Sequence, residues 1–256
     1  MVDELVIYEQ RGPAALVTIN RRERRNAVDG DTAAQLNEAF QRFEADDQAR
    51  VFVLTGAGHE AFCAGADLKH IESLGPRLDL PEGPLGFTRL TASKPTIAAI
   101  SGWCLAGGLE LALWCDLRIA TADAKLGFPE RRWGVPLIDG GTQRLPRLVG
   151  MGRAMDMILT GRIVGAQEAY DMGLVTEIVD DGRHVERALE YAAGLAAFPQ
   201  ETMLADRRAA IEGFGLPLDE ALALEAKSGQ ATQEVAWRGA SRFASGEGRG
   251  GAGAGV

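Results

Sequence analysis

KPTIAAISGWCLAGGLELALWCDLRIA, residues 94–120, is the stretch on which the fold and the chemistry of this chain turn. From Thr96 to Leu109 no side chain carries a charge, and then Glu110 stands among Leu109, Leu111, Ala112, Leu113, Trp114 and Cys115. A carboxylate in such surroundings loses hydration and is costly unless it is paired, protonated or used. Gly107 and Gly108 precede it and permit close backbone approach. The pattern predicts a strand over Thr96–Ile100, a turn at Ser101 and Gly102, and a buried helix over residues 108–115. Amides at such a helix start lack intrahelical acceptors and can bind developing negative charge. An anion hole beside a carboxylate outlines an active site. The plainer reading of Glu110 is a helix cap or a partner for the helix dipole.

The whole chain sets bounds on that outline. Its 256 residues, 46% of them hydrophobic, suit one large domain or a core with a smaller appendage. The formal net charge of −9 argues against a nucleic-acid partner, since phosphate contacts dominate such affinity. Cys63, Cys104 and Cys115 lie in apolar sequence without metal-ligand spacing and read as reduced core thiols; no metal site is expected. MVDELVIYEQ is no signal peptide, and no uncharged run approaches the roughly 20 residues that span a bilayer. A soluble cytoplasmic protein without a membrane partner is expected.

Working outward, strands are expected over residues 5–9, Ala14–Ile19, 51–54, 117–120, 125–128 and 174–179. Arg21, Arg22, Arg24 and Arg25 form a basic cluster in an acidic protein, either solvated or set to meet a phosphate-bearing ligand. Asp31 is placed as the cap of a helix bearing Leu36, Phe40 and Phe43 on one face. Gly56-Ala57-Gly58 after a strand partly resembles a dinucleotide fingerprint, but the helix that such a motif opens is missing. The turn Ala64-Gly65-Ala66-Asp67 can offer backbone amides and start a helix to about Leu74. Residues 75–86, rich in Pro and Gly, are expected as a mobile loop. Asp139 is placed as a cap of the helix after Gly140 and Gly141. Further helices are expected over residues 153–160, 166–171, 184–197, 200–213 and 218–236, and residues 245–256 as a flexible Gly-rich tail. This divides the chain into an α/β core over 1–185, a helical part over 186–244 and the tail. His59, His70 and His184 are scattered and read as structural or surface residues. G-x-S-x-G, P-loop and H-E-x-x-H signatures are missing.

Several separated motifs together resemble the crotonase superfamily, the enoyl-CoA hydratases and isomerases. They are FCAGADLK, KPTIAAISGW, LAGGLELALWCDLRIA, and LGFPE followed by GGTQRLPRLVG, with TINRRERRNAV similar to a first CoA-binding loop. The likeness runs in register from about Leu5 to Val179. It implies a spiral of ββα units with C-terminal helices used in oligomer contacts, and a homotrimer or hexamer. It implies an acyl-CoA substrate, with coenzyme A part of that substrate and no metal or redox cofactor. Glu110 and Glu130 match the two catalytic glutamates of the hydratases. The amides of Ala66 and Gly107 match the oxyanion hole. Ala64, Asp67, Leu68 and Lys69 fall on the strip lining the CoA path, and Ala27 matches a contact to its adenine end. Ile138 falls in the acyl pocket, and Arg24 and Arg25 are candidate contacts to CoA phosphates. The implied activity is hydration of trans-2-enoyl-CoA thioesters. Isomerisation or 3-hydroxyacyl-CoA dehydration on the same fold, or acyl-CoA binding without turnover, stand as alternatives.

The chain departs from the hydratase pattern in places. Ala106 replaces a third glycine. Ile138 replaces a glycine of I-P-G-x-G-G-T, with Asp139 adding a carboxylate next to it. Arg131 and Arg132 follow Glu130 directly, and either one, reaching the site, would hold that carboxylate ionised.

Overall fold

The computed structural model describes residues 4–247; residues 248–256, most of the expected Gly-rich tail, lie outside the described residues. The chain divides into two compact units with the boundary between Ala193 and Gly194.

The first unit is built by repetition. A long apolar strand enters one sheet, a very short strand enters a second sheet, and a helical segment follows. β3 (Val51–Gly56), β4 (Ala61–Cys63) and a 3-10 segment over Leu68–Arg77 make one such turn. β5 (Thr96–Ile100), β6 (Trp103–Leu105) and α2 (Gly107–Trp114) make the next. β7 (Leu117–Thr121), β8 (Lys125–Gly127) and a 3-10 turn over Pro129–Trp133 make a third. With β1 (Val6–Arg11), β2 (Ala14–Ile19) and β10 (Glu177–Val179), the first sheet has the order β1-β2-β3-β5-β7-β10. Only β1–β2 is antiparallel, so the central strands are buried on both faces and read as continuous apolar runs. The second sheet has the order β4-β6-β8-β9, where β9 is Ile163–Gly165.

The core lies between the first sheet and its helices. Phe40 and Phe43 of α1 (Gly30–Ala45) meet Phe52, Phe87 and Trp114, with ring centroids 4.5 to 5.8 Å apart. Phe87 belongs to the loop following the 3-10 segment. Residues 83–88 are buried, so the end of this Gly- and Pro-rich stretch is packed into the core rather than left in solvent. At the other end of α2, the buried Arg118 donates to the carbonyls of Cys115 and Ala112 at the helix terminus, the latter also accepting from the Cys115 amide, and to Leu174.

Three local expectations are corrected. The cap of α1 is Asp29, whose carboxylate accepts from the Thr32 amide; Asp31 lies in the first turn. α3 (Gly141–Val149) has Gly140 at its cap and no side-chain capping bond, so Asp139 does not cap it. The helix expected over 218–236 is two helices, α8 (Leu218–Ala231) and α9 (Gln233–Ser245), broken at Thr232. Between Gly150 and Ala193 the chain adds α4 (Met151–Thr160), α5 (Ala166–Asp171) and the start of α6 (His184–Ala197). In the second unit, α7 (Gln200–Gly213) packs on α8, where the Ser228 hydroxyl donates to the Ala205 carbonyl at 3.1 Å. Among the described residues no helix is long and apolar enough to cross a membrane.

Candidate active site

The site is set by how closely α2 approaches the strand–turn before it. A methyl group at position 108 would lie 2.1 Å from the Cys63 carbonyl oxygen, so only glycine fits there. A methyl at 107 would lie 3.6 Å from the Ala66 nitrogen, and one at 65 would lie 2.9 Å from the Gly107 nitrogen. The chain from Gly65 to Ala66 therefore runs against the first residue of α2. Val28 holds that segment by taking its amide to the Gly65 carbonyl and accepting from Asp67 N–H. Gly107 is the first helical residue, so its N–H has no intrahelical acceptor. Among the described residues, neither the Ala66 nor the Gly107 amide donates a hydrogen bond. Ala106, just before Gly107, has φ 52° and ψ −127°, a positive-φ backbone position that glycine would occupy without strain.

Glu110 does not cap its own helix. It is buried, and its Oε1 accepts from the amides of Gly141 at 2.7 Å and Asp139 at 3.0 Å, at the start of α3. Burial is the largest influence on its acidity and pushes its pKa up to about 8. The Gly141 bond opposes the shift, and the charges of Asp139 and Glu130 add to it.

Glu130 sits in the 3-10 turn after β8. It too is buried, and neither carboxylate oxygen has a hydrogen-bond partner among the described residues. Its pKa is raised by burial, against the opposing effects of its own amide and of Arg131. Arg131 turns away, its Nε donating to the Ile158 carbonyl at 3.4 Å, and Arg132 is exposed. Neither arginine forms an ion pair with Glu130.

Glu110, Glu130 and Asp139 line one cavity of about 420 Å³, together with Ala66 and Gly107. Its other walls are mostly apolar, including Leu85, Leu137, Ile138 and the exposed Trp133. A second cavity shares Ala64, Ala66 and Leu68 with the first and is lined by Arg22, Arg24, Arg25, Ala27, Asp67 and Lys69. The candidate residues thus fall in two adjoining places, an apolar cavity with carboxylates and a basic recess. Two of them are already engaged. Arg25 pairs with Glu60 at 2.8 Å on the surface. Asp67 is buried against Arg21 at 3.0 Å, and accepts from the Lys69 amide and faces His70. Asp29, Asp67 and His70 bring ligand atoms within 4.8 Å of one another, but the Arg21 guanidinium reaches both aspartates and supplies the positive charge there.

A family model described as enoyl-CoA hydratase/isomerase matches residues 9–246. The chain belongs to the enoyl-CoA hydratase/isomerase family. The short-chain-enoyl-CoA hydratase of Clostridium acetobutylicum is 37% identical over 227 residues, covering 87% of each chain. The (E)-benzylidenesuccinyl-CoA hydratase of Thauera aromatica is 38% identical over 221 residues, covering 85% of this chain and 86% of the relative. The crystal structure of enoyl-CoA hydratase EchA1 from Mycobacterium marinum superposes with a TM-score of 0.88 at 35% identity, over 95% of this chain and 96% of that one. The crotonase-like spiral expected from the motifs is the fold of these neighbours.

Sequence reading missed the residues that hold the family's site in place here. Arg144, half-buried on α3, donates from Nη1 to the Asp139 carbonyl at 2.8 Å and from Nη2 to the Thr88 carbonyl at 2.6 Å. Leu85 lies in the stretch 75–86 that reads as a loop, and Thr88 lies just beyond it, where the sequence carries no motif. Nothing local in the sequence signals these partners. The three cysteines are buried and free, with Cys63 pushed up to about 12 by burial, far from thiolate chemistry. None of the three histidines lines the apolar cavity.

The raised pKa of Glu110 has a thermodynamic consequence. Between the unfolded value near 4.5 and the folded value of about 8, native protein keeps a proton that unfolded protein releases. Stability from this group is full below pH 4.5 and is lost as pH rises through 8, at about 1.4 kcal/mol per unit. Glu110→Gln removes that loss while keeping an acceptor for the Gly141 and Asp139 amides. Thermal unfolding from pH 5 to 9 should show the variant gaining on the wild type as pH rises. Parallel curves would contradict the raised pKa.

Proposed function

We propose that this chain is an enoyl-CoA hydratase, adding water across the C2=C3 bond of trans-2-enoyl-CoA thioesters. One observation carries the reading: Glu110 and Glu130 line the same buried cavity as the two unspent amides of Ala66 and Gly107. Attack of water at C3 moves the double-bond electrons through C2 onto the thioester oxygen. Two fixed N–H groups aimed at that oxygen stabilise the enolate, and losing one such donor typically costs about 10²–10³ in rate.

In the proposed roles, ionised Glu110 orients the water and takes its proton while the oxygen bonds to C3. Protonated Glu130 gives its proton to C2. Dehydration is the same path reversed. The pair needs one proton between them, and its surroundings suit that division. Burial raises both carboxylates, Glu110 up to about 8, so the pair readily holds one proton; the two amide hydrogen bonds on Glu110 favour its carboxylate once the proton leaves it, while Glu130 accepts no bond from another residue among those described.

Coenzyme A would enter through the basic recess, with Arg24 and Arg25 meeting phosphates and Ala27, Ala64, Asp67, Leu68 and Lys69 lining its path. The Arg25–Glu60 pair is exposed and exchanges partners at little cost. The apolar lining near Ile138 suits an uncharged acyl group. The reaction calls for no metal or redox cofactor. We also propose a cytoplasmic homotrimer or hexamer. Trp237, Phe243 and Leu218 of the second unit, each more than 60% exposed, supply apolar surface for such an assembly.

Two measurements follow. Loss of conjugated-enoyl absorbance with trans-2-enoyl-CoA thioesters should give turnover whose kcat/KM rises with pH toward about 8, as Glu110 ionises. Glu110→Gln and Glu130→Gln should each lower kcat by about 10²–10⁴ with little change in affinity for a saturated acyl-CoA. Full activity in either variant would remove that residue from the mechanism. Light scattering should return a mass of three or six chains, and a monomer would refute the assembly.

A further inference from the structure

Asp139 is a third buried carboxylate on the cavity wall, and neither helix capping nor solvation accounts for it. Its Oδ1 accepts from the Leu85 amide at 3.1 Å and from the Thr88 hydroxyl. Its own amide donates to Glu110 Oε1 at 3.0 Å. Its carbonyl accepts from Arg144, whose other Nη reaches the Thr88 carbonyl. One residue therefore joins three things that are remote in sequence: the segment 85–88, the amides holding Glu110, and the start of α3.

What that junction positions is visible in Leu85. A methyl at Gly107 would lie 2.6 Å from Leu85 Cδ1, so this side chain stands directly over the first residue of α2 and forms part of the cavity wall. The segment carrying it has no helix or strand and is held by short turn hydrogen bonds, such as Gly86 N–H to the Gly83 carbonyl at 3.3 Å, together with side-chain bonds and burial. Gly86, at φ 105°, packs on α1 so closely that a methyl there would meet the Ala33 carbonyl at 2.7 Å. The segment is thus fixed on one side by α1 and on the other by Asp139.

We propose that Asp139 is a positioning residue that latches the segment 85–88 to the amide clamp of Glu110, so that the apolar wall over Gly107 and the carboxylate are set as one unit. Its effect on turnover rests on the hydratase reading; the latch itself rests on the hydrogen bonds alone. A wall coupled in this way governs how the acyl chain lies beside the reacting carbons. Releasing it disturbs long acyl groups, which touch Leu85, more than short ones.

The test combines hydrogen exchange at the Leu85 amide with kinetics on crotonyl-CoA and a ten-carbon trans-2-enoyl-CoA. In Asp139→Ala the Leu85 amide should exchange on the order of tenfold faster or more, because its carboxyl acceptor is gone. Asp139→Asn keeps an acceptor oxygen and should retain most of the protection. KM for the ten-carbon substrate should rise by a larger factor than KM for crotonyl-CoA in the alanine variant, and the asparagine variant should recover most of that difference. Unchanged Leu85 exchange in Asp139→Ala, or equal loss of protection in Asn and Ala, would overturn the latch. If Asp139→Ala does not fold, Thr88→Val decides: faster Leu85 exchange supports the latch, and wild-type exchange overturns it. If the wild type hydrates no enoyl thioester, the hydratase reading fails while the exchange measurement still decides the latch.

Discussion

Everything in the site depends on the contact between the first turn of α2 and the backbone from Cys63 to Ala66. A side chain at Gly108 would collide with the Cys63 carbonyl, and one at Gly65 with the Gly107 amide. Because the two backbones touch, the N–H groups of Ala66 and Gly107 come to the same cavity with no acceptor among the described residues. One owes its freedom to a helix start, the other to a turn pinned by Val28. Such donors are fixed before any ligand arrives, so they stabilise charge without reorganising.

The same helix delivers Glu110 one turn further on. Its carboxylate bridges to the start of α3, and burial makes its ionisation expensive. Glu130 arrives from a separate turn of the spiral with both oxygens unpaired among the described residues. A cavity with mostly apolar walls that holds three carboxylates, all with raised pKa, stores electrostatic cost. Such groups are tolerated where they can exchange protons with a bound molecule. The repeating ββα spiral makes this possible: each turn sends a short strand to the second sheet and leaves a loop or helix start at the cavity.

Much of this is legible in the amino-acid sequence. The strands Ala14–Ile19 and Thr96–Ile100 are uncharged, mostly apolar runs, and the structure has them at those bounds. The buried helix bearing Glu110 followed from an apolar stretch with paired glycines. β4, β6 and β9 left no strand signal: three residues are too few to show a period, and the equally short β8 is expected only as part of residues 125–128. Twenty residues separate Glu110 from Glu130, and that spacing carries no spatial meaning alone; their pairing was implied only by likeness to a family. The reach of Asp139 to Leu85 and Thr88, more than fifty residues away, left no local trace. A cap was the natural local reading for an aspartate before two glycines, and a long-range partner displaced it.

The central claim is that the Ala66 and Gly107 amides form one binding point for a thioester carbonyl. A crystal structure with a bound saturated acyl-CoA, which cannot be hydrated, tests it most directly. The account requires the thioester oxygen about 2.7–3.1 Å from both nitrogens, with Glu110 and Glu130 flanking the second and third acyl carbons. A thioester bound elsewhere, with either amide facing water, would contradict it.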